Sequence, residues 1–364
     1  MILRKLTYTM ALVGALLALG CSPVRFSKSA SCGEAGNPAC KVTPSERRQV
    51  DKTITTGKPQ ADILFVDDNS GSMSTEQGKM GDKFPDFISS LGSIDYRIAI
   101  TTTDVSSDTN PPSVANLNGA LQDGKFIEFE SGVNVLIPTL SNIAQLFAGA
   151  IKRPETLTCD SSGFKTCPSP DERGIYAANL AVDRADPDFF RPNAHLAVVI
   201  LSDEDERSRG GTITGFELED QDMPANFVAN VKAKFGEAKS LAVHAIIIKP
   251  GDETCLDEQN SQPGVRGSEG KKYAELANLT NGTIGSICSS NYGEEMGAIG
   301  SSVADAVNSI DLECAPIDDQ VTTEVNPRPS DLEITLDKEQ KKIRFNRTLP
   351  AETTVRVIYD CPKA

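Results

Sequence analysis

At 364 residues the chain has room for one large domain with appendages. Its formal charge of −15 disfavours nucleic acid, whose phosphates an acidic surface repels. With two histidines and no C-x₂-C spacing, a zinc module is disfavoured too. Residues 1–20 read as a signal segment: Arg4 and Lys5 give a positive end, and Met10–Leu19 an apolar core too short for a comfortable membrane span.

Gly20 then precedes Cys21. The junction resembles a bacterial lipobox, with Ala18 where leucine is usual, and this implies that Cys21 is lipidated and becomes the mature N-terminus. Such an anchor holds a protein on a membrane without spanning it; an ordinary secretory signal is the alternative. Ser22 resembles outer-membrane sorting, so the expected location is the bacterial cell envelope, as an outer-membrane lipoprotein or at the cell surface. Of nine cysteines, setting Cys21 aside leaves an even number, and export permits disulfides. Pairing by neighbourhood joins Cys32 with Cys40, Cys159 with Cys167, Cys255 with Cys288 and Cys314 with Cys361, one of many possible connectivities. Residues 21–59, rich in Ser, Lys, Pro and Thr, read as a lipidated tether.

The most informative stretch is Asp62–Met73, DILFVDDNSGSM. Its apolar run, Ile63–Val66, suits a strand buried on both faces of a parallel sheet. The oxygen-rich turn that follows would sit at the strand's carboxyl end, where open α/β sheets hold ligands. Asp68, Ser70 and Ser72 fall at i, i+2 and i+4, so one carboxylate and two hydroxyls can converge on a hard cation; a polar β-turn without an ion is the bland alternative.

VDDNSGSM resembles the D-x-S-x-S core of the metal-ion-dependent adhesion site of von Willebrand factor type A (VWA) domains, and the resemblance covers about residues 60–311. It implies an α/β fold: a doubly wound, largely parallel, Rossmann-like sheet flanked by helices. It also implies a divalent cation, Mg²⁺ first, with Ca²⁺ or Mn²⁺ as alternatives. In such domains a partner's Glu or Asp completes the ion's coordination.

Further along, Ser74–Leu91 reads as helical in its second half, with Pro85 near that helix's start. Tyr96–Ile100 is a strand running into Thr101–Asp104, where Thr102 or Asp104 would lie behind the ion. Lys125–Phe129 and Val133–Ile137 form a hairpin or irregular strands, and Leu140–Lys152 is amphipathic. Then comes PSPDERG and a helix over Ile175–Ala185. Relatives carry a Thr ligand in a Gly-Thr-x-x-Gly pattern here; anchoring on Gly174 puts Asp171 at that position, with Glu172 beside it and Ser169 as a third option. An acid here would over-neutralise a divalent ion, so Asp171 or Glu172 is expected to bind through water or to point aside.

His195–Leu201 is a second doubly buried strand, ending in Ser202–Glu206. The resemblance assigns Asp203 as the remaining acidic ligand. Glu204 and Glu206 read as a solvated acidic loop, and Asp205 as a residue able to orient a water. Helices follow at Pro224–Lys239, Lys271–Leu279 and Gly293–Ile310, with strands at Leu241–Ile248 and Gly282–Cys288. Residues 312–364 change to β-rich runs, DLEITL, KIRFN and TTVRVIYDC, and read as a small antiparallel β-module.

Enzymatic readings find little support. Ser70 is not in a G-x-S-x-G elbow, no phosphate-cradling P-loop occurs, and both histidines sit in or at apolar strands as structural groups. The sequence therefore favours a non-enzymatic adhesion or protein-binding lipoprotein. The alternative is a structural envelope lipoprotein whose ion only stiffens loops.

Overall fold

The computed structural model describes residues 47–57, 59–105, 122–161, 168, 171–208, 215–237, 239–261 and 265–363. The signal segment, Cys21, Cys32, Cys40, Cys167 and Ser169 lie outside these residues. Beyond β1 (Arg47–Thr55), five strands form one parallel sheet: β2 (Gln60–Asp67), β3 (Asp95–Thr102), β4 (His195–Leu201), β5 (Leu241–Ile247) and β6 (Ile284–Ser286). Their order is β3-β2-β4-β5-β6. From β2 the chain adds β3 on one side and then β4 on the other. The crevice beyond the carboxyl ends of β2 and β4 is thus the topological switch point, where such sheets hold ligands.

The apolar runs explain the layering. Successive side chains of a strand face opposite ways, so a run without polar breaks needs cover on both faces. Ile63, Phe65, Ala197 and Val199 enter one core, under α1 (Ser74–Leu91), α2 (Ile143–Ile151) and α8 (Tyr292–Val307). Leu64, Val66, Leu196 and Val198 enter the other, under α4 (Gly174–Arg184), α5 (Pro224–Phe235) and α7 (Lys271–Leu279). Phe65 anchors the first layer, with its ring edge-on to Phe147 at 4.9 Å and to Phe87 at 5.6 Å. Asp62, buried on β2, accepts from Arg191 Nε and N at 2.7 Å each.

Two local features depart from expectation. Helix α1 begins at Ser74, and Pro85 lies inside it rather than near its start. Burial of Met80, Phe84, Phe87 and Leu91 along one face outweighs the lost proline N–H. Helices α3 (Pro154–Ser161) and α6 (Glu253–Asn260) stand where the sequence reading placed no element. Both are short and weakly amphipathic, so periodicity had little to mark. Residues 125–137 are irregular strands: Leu136 bridges Ile98 on the edge strand β3, and Glu130 bridges Val133.

The β-rich tail is confirmed and extended. It holds β8 (Val321–Asn326), β9 (Ile334–Asp337), β10 (Lys342–Phe345) and β11 (Thr354–Pro362), while β7 (Ser309–Asp311) occupies the expected end of the last helix. Two three-stranded sheets result, β1-β11-β8 and β7-β10-β9. Residues 47–55, read as tether, are therefore a strand of the tail's sheet. Val50 shares a core with Leu312, Val355 and Val357. Cys314–Cys361 and Cys255–Cys288 are disulfides as paired above. Cys159 is also disulfide-bonded.

Both histidines are structural. His244, fully buried in β5, accepts a hydrogen bond from Thr283 N at 3.1 Å through Nδ1. Burial lowers its pKa from 6.5 to about 4, and that of His195 to about 3. A histidine held neutral favours the folded state above its ordinary pKa, and that contribution is lost as pH falls from about 6.5 towards 4. In urea denaturation across this window, the wild type should lose stability more steeply than His244→Gln, by on the order of 3 kcal/mol at most. Parallel pH profiles for the two proteins would remove this role.

Candidate metal centre

The turn after β2 and the turn after β4 meet at the switch point. Ser70 N–H donates to Asp68 Oδ1 at 2.8 Å, closing the first turn on itself. The Ser70 and Ser72 hydroxyls lie 2.9 Å apart. Ser72 Oγ then reaches across to Asp203 Oδ1 at 3.1 Å. Ser202, beside Asp203, donates to Asp68 Oδ2 at 2.6 Å. Asp68, Ser70, Ser72 and Asp203 are thus brought together by two loops separated by more than a hundred residues. Strand pairing puts them in register, since Asp67 lies opposite Leu201 and Asp68 N–H donates to Leu201 O at 3.0 Å.

The third loop departs from expectation. Asp171, the sequence candidate there, does not reach this group. Its carboxylate is held by Arg207, at 3.2 Å from Nε and 3.1 Å from Nη2. Burial pushes Asp171 up to about 6 against the pull of Arg207 and Arg173. Glu172 takes the inward position instead. It is 3% exposed, accepts from the Thr103 hydroxyl, and interacts with the Asp68 carboxyl. Two carboxyl groups in such contact must share a proton unless a cation stands between them.

Other expected roles also shift. Thr103, between Thr102 and Asp104, supplies the hydroxyl that reaches the site, while the charge of Asp104 acts on Glu172. Asp205 accepts from Lys272 N at 2.8 Å in the first turn of α7. Glu206 is buried rather than solvated and accepts from Ile175 N at 2.8 Å and Tyr176 N at 3.1 Å, capping α4.

The electrostatics ask for positive charge. Burial lifts the Asp68 carboxyl, against hydrogen bonds from Ser202 and Ser70. Glu172 and Asp203 are lifted well above their usual range, first by burial and then by the charges of Asp68 and Glu204. Asp203 Oδ2 is buried without a hydrogen-bond partner. An orphaned carboxylate oxygen costs free energy that an ion would recover. Among the described residues no three His, Cys, Asp or Glu side chains cluster as metal ligands. The donor set is mixed, hydroxyls with acids, and suits a hard cation of the Mg²⁺ or Ca²⁺ kind.

Sequence reasoning missed the clamp behind this loop. Gln77 Nε2 lies 3.0 Å from both Asp67 Oδ2 and Asp68 O, and 3.1 Å from Thr156 Oγ1. Thr156, on α3, donates to Asn69 O at 2.8 Å. Asn69 donates to Glu155 at 3.2 Å. Pro154 at the start of α3 was the available signal, since proline favours a helix's first turn.

No family model matches the chain, and no curated protein matches it. Solved structures are similar at low identity. The pilus adhesin SpaC from Lactobacillus rhamnosus GG (open conformation) aligns with 86% of this chain and 41% of its own, at 11% identity and a TM-score of 0.37. A von Willebrand factor type A protein from Catenulispora acidiphila aligns over 88% and 62%, at 13% identity and TM-score 0.34. The pilus adhesin RrgA from Streptococcus pneumoniae aligns over 87% and 59%, at 9% identity and TM-score 0.32. The chain spans 41% to 62% of the length of these proteins.

A buried ionic network fixes the third loop. Arg173 donates to Asp222 Oδ1 from Nε at 2.9 Å and from Nη2 at 2.7 Å, and Arg207 Nη1 donates to Glu219 at 2.7 Å. Removing one member of a buried pair strands the other. Arg207→Met should therefore destabilise the fold by about 3–5 kcal/mol in urea denaturation. A loss under about 1 kcal/mol would mean that the network is solvated and carries little.

Proposed function

We propose that this chain is a VWA-type binding protein of the bacterial cell envelope. Ser70, Ser72, Asp68 and Asp203 hold a divalent cation, Mg²⁺ in the first instance, with Ca²⁺ or Mn²⁺ able to substitute. The ion accepts a Glu or Asp carboxylate from a protein partner. The observation that carries this reading is the Ser72–Asp203 hydrogen bond of 3.1 Å, which joins the two loops into one oxygen cluster at the switch point. Two of the four donors are neutral hydroxyls, so an ion there keeps positive charge to offer. The protein's part is to fix these oxygens on rigid strand ends and to leave one side of the group to a guest.

Lipidation at Cys21 would tether the domain at the envelope surface. Among the described residues no helix is long and apolar enough to cross a membrane. The reading assigns no chemistry to the site: neither buried, neutral histidine adjoins it, and Ser70 hydrogen-bonds Ser72 rather than a base.

A second reading, an ion that only stiffens the loops, draws on the burial of the acids themselves. Two measurements separate the readings. Mg²⁺ at a hundredfold excess over its dissociation constant should stabilise the wild type by about 2.7 kcal/mol and Asp68→Ala not at all. In pull-downs from surface proteins, Mg²⁺ should support capture that chelator and Asp68→Ala both abolish while the fold persists. Stabilisation without any Mg²⁺-dependent capture would leave the ion a purely structural part, and capture undiminished in excess chelator would defeat the adhesion reading.

A further inference from the structure

The proposed ion-holding set makes no use of Glu172, yet this acid is buried among its members. One carboxyl oxygen accepts from the Thr103 hydroxyl, and the side chain interacts with the Asp68 carboxyl. Among the described residues, the charges of Asp68, Glu204 and Asp104 weigh most on it. Burying an acid among acids is costly unless a cation shares the space.

Its backbone has little freedom. Glu172 O accepts from Arg207 N–H, and Arg173 N–H donates to Thr103 O at 3.3 Å. Its sequence neighbours are committed to ion pairs on both sides, Asp171 with Arg207 and Arg173 with Asp222. Those pairs neutralise Asp171 and Asp222, and among the described residues no cation is paired with Glu172. Only its side chain can turn.

We propose that Glu172 is an internal competitor for the ion's open side. Held beside Asp68, it adds a third negative charge to those of Asp68 and Asp203, either touching the ion or through one water. The wild type then binds the cation firmly and an outside carboxylate weakly. Capture of an acidic partner requires the Glu172 side chain to swing away. This inference rests on the ion-dependent reading above and adds a restraint to it.

Purified wild type, Glu172→Thr, Glu172→Gln and Asp68→Ala are compared by Mn²⁺ calorimetry. Water-proton relaxation of the bound Mn²⁺ is then followed during titration with acetate, the probe for a guest carboxylate. Glu172→Gln keeps the size of the side chain, so a folding defect confined to Glu172→Thr leaves the charge comparison intact. Both Glu172 variants should bind Mn²⁺ about tenfold more weakly than wild type. Acetate should displace their bound water at lower concentration than in the wild type. Equal Mn²⁺ affinity and equal acetate response in wild type and both variants, with binding lost in Asp68→Ala, would overturn the role of Glu172 alone. No saturable Mn²⁺ binding by the wild type would overturn it together with the ion-dependent reading.

Discussion

Asp68, Glu172, Asp203 and Glu204 crowd the carboxyl edge of a parallel sheet, and the charges felt most strongly by Glu172 and Asp203 are those of other acids. Desolvated like charges repel, and proteins tolerate them where a proton or a metal ion compensates. This constraint accounts for the local architecture better than any single bond does. Hydroxyls from Ser70, Ser72, Ser202 and Thr103 fill the gaps between carboxyl groups and supply neutral hydrogen bonds. Among the described residues, Asp203 Oδ2 is left buried without a hydrogen-bond donor.

Holding that arrangement against its own repulsion takes a rigid frame. The two loops grow from β2 and β4, adjacent parallel strands that are buried on both faces and in fixed register. Behind the first loop, Gln77 and Thr156 satisfy backbone oxygens that would otherwise be buried without donors. Behind the third, Arg173 and Arg207 are nearly fully buried and form ion pairs with Asp171, Glu219 and Asp222. The basic side chains are thus spent one layer away from the ion-facing acids. Among the described residues these arginines are paired with acids of the outer layer, while Asp68 and Asp203 accept from neutral donors, Ser70 N, Ser202 and Ser72.

The sequence made the strands legible because a buried parallel strand leaves a continuous apolar run, as in ILFV and HLAVVIL, and little else does. The i, i+2, i+4 spacing after the first run singled out Asp68, Ser70 and Ser72, whereas Asp203 was singled out by the family resemblance. What the sequence could not show was rotamer choice. Asp171 and Glu172 are adjacent acids of near-equal chemistry, and the ion pair of Asp171 with Arg207, thirty-odd residues on, is not visible in the local sequence. Glu206 looked like a solvated acid for the same reason: its partners are backbone N–H groups of a helix distant in sequence. The strand at 47–55 was hidden because its single well-buried side chain, Val50, gives no alternation to read, and its pairing with β11 closes over three hundred residues of chain.

The site is tested most directly by diffraction at the manganese absorption edge from crystals of the protein grown with Mn²⁺. An anomalous peak between the Ser70 and Ser72 hydroxyls and the Asp203 carboxylate, with Asp68 beside it, is the expected result. A peak elsewhere on the molecule, or none at saturating Mn²⁺ while Ser72 and Asp203 stay hydrogen-bonded, would contradict it.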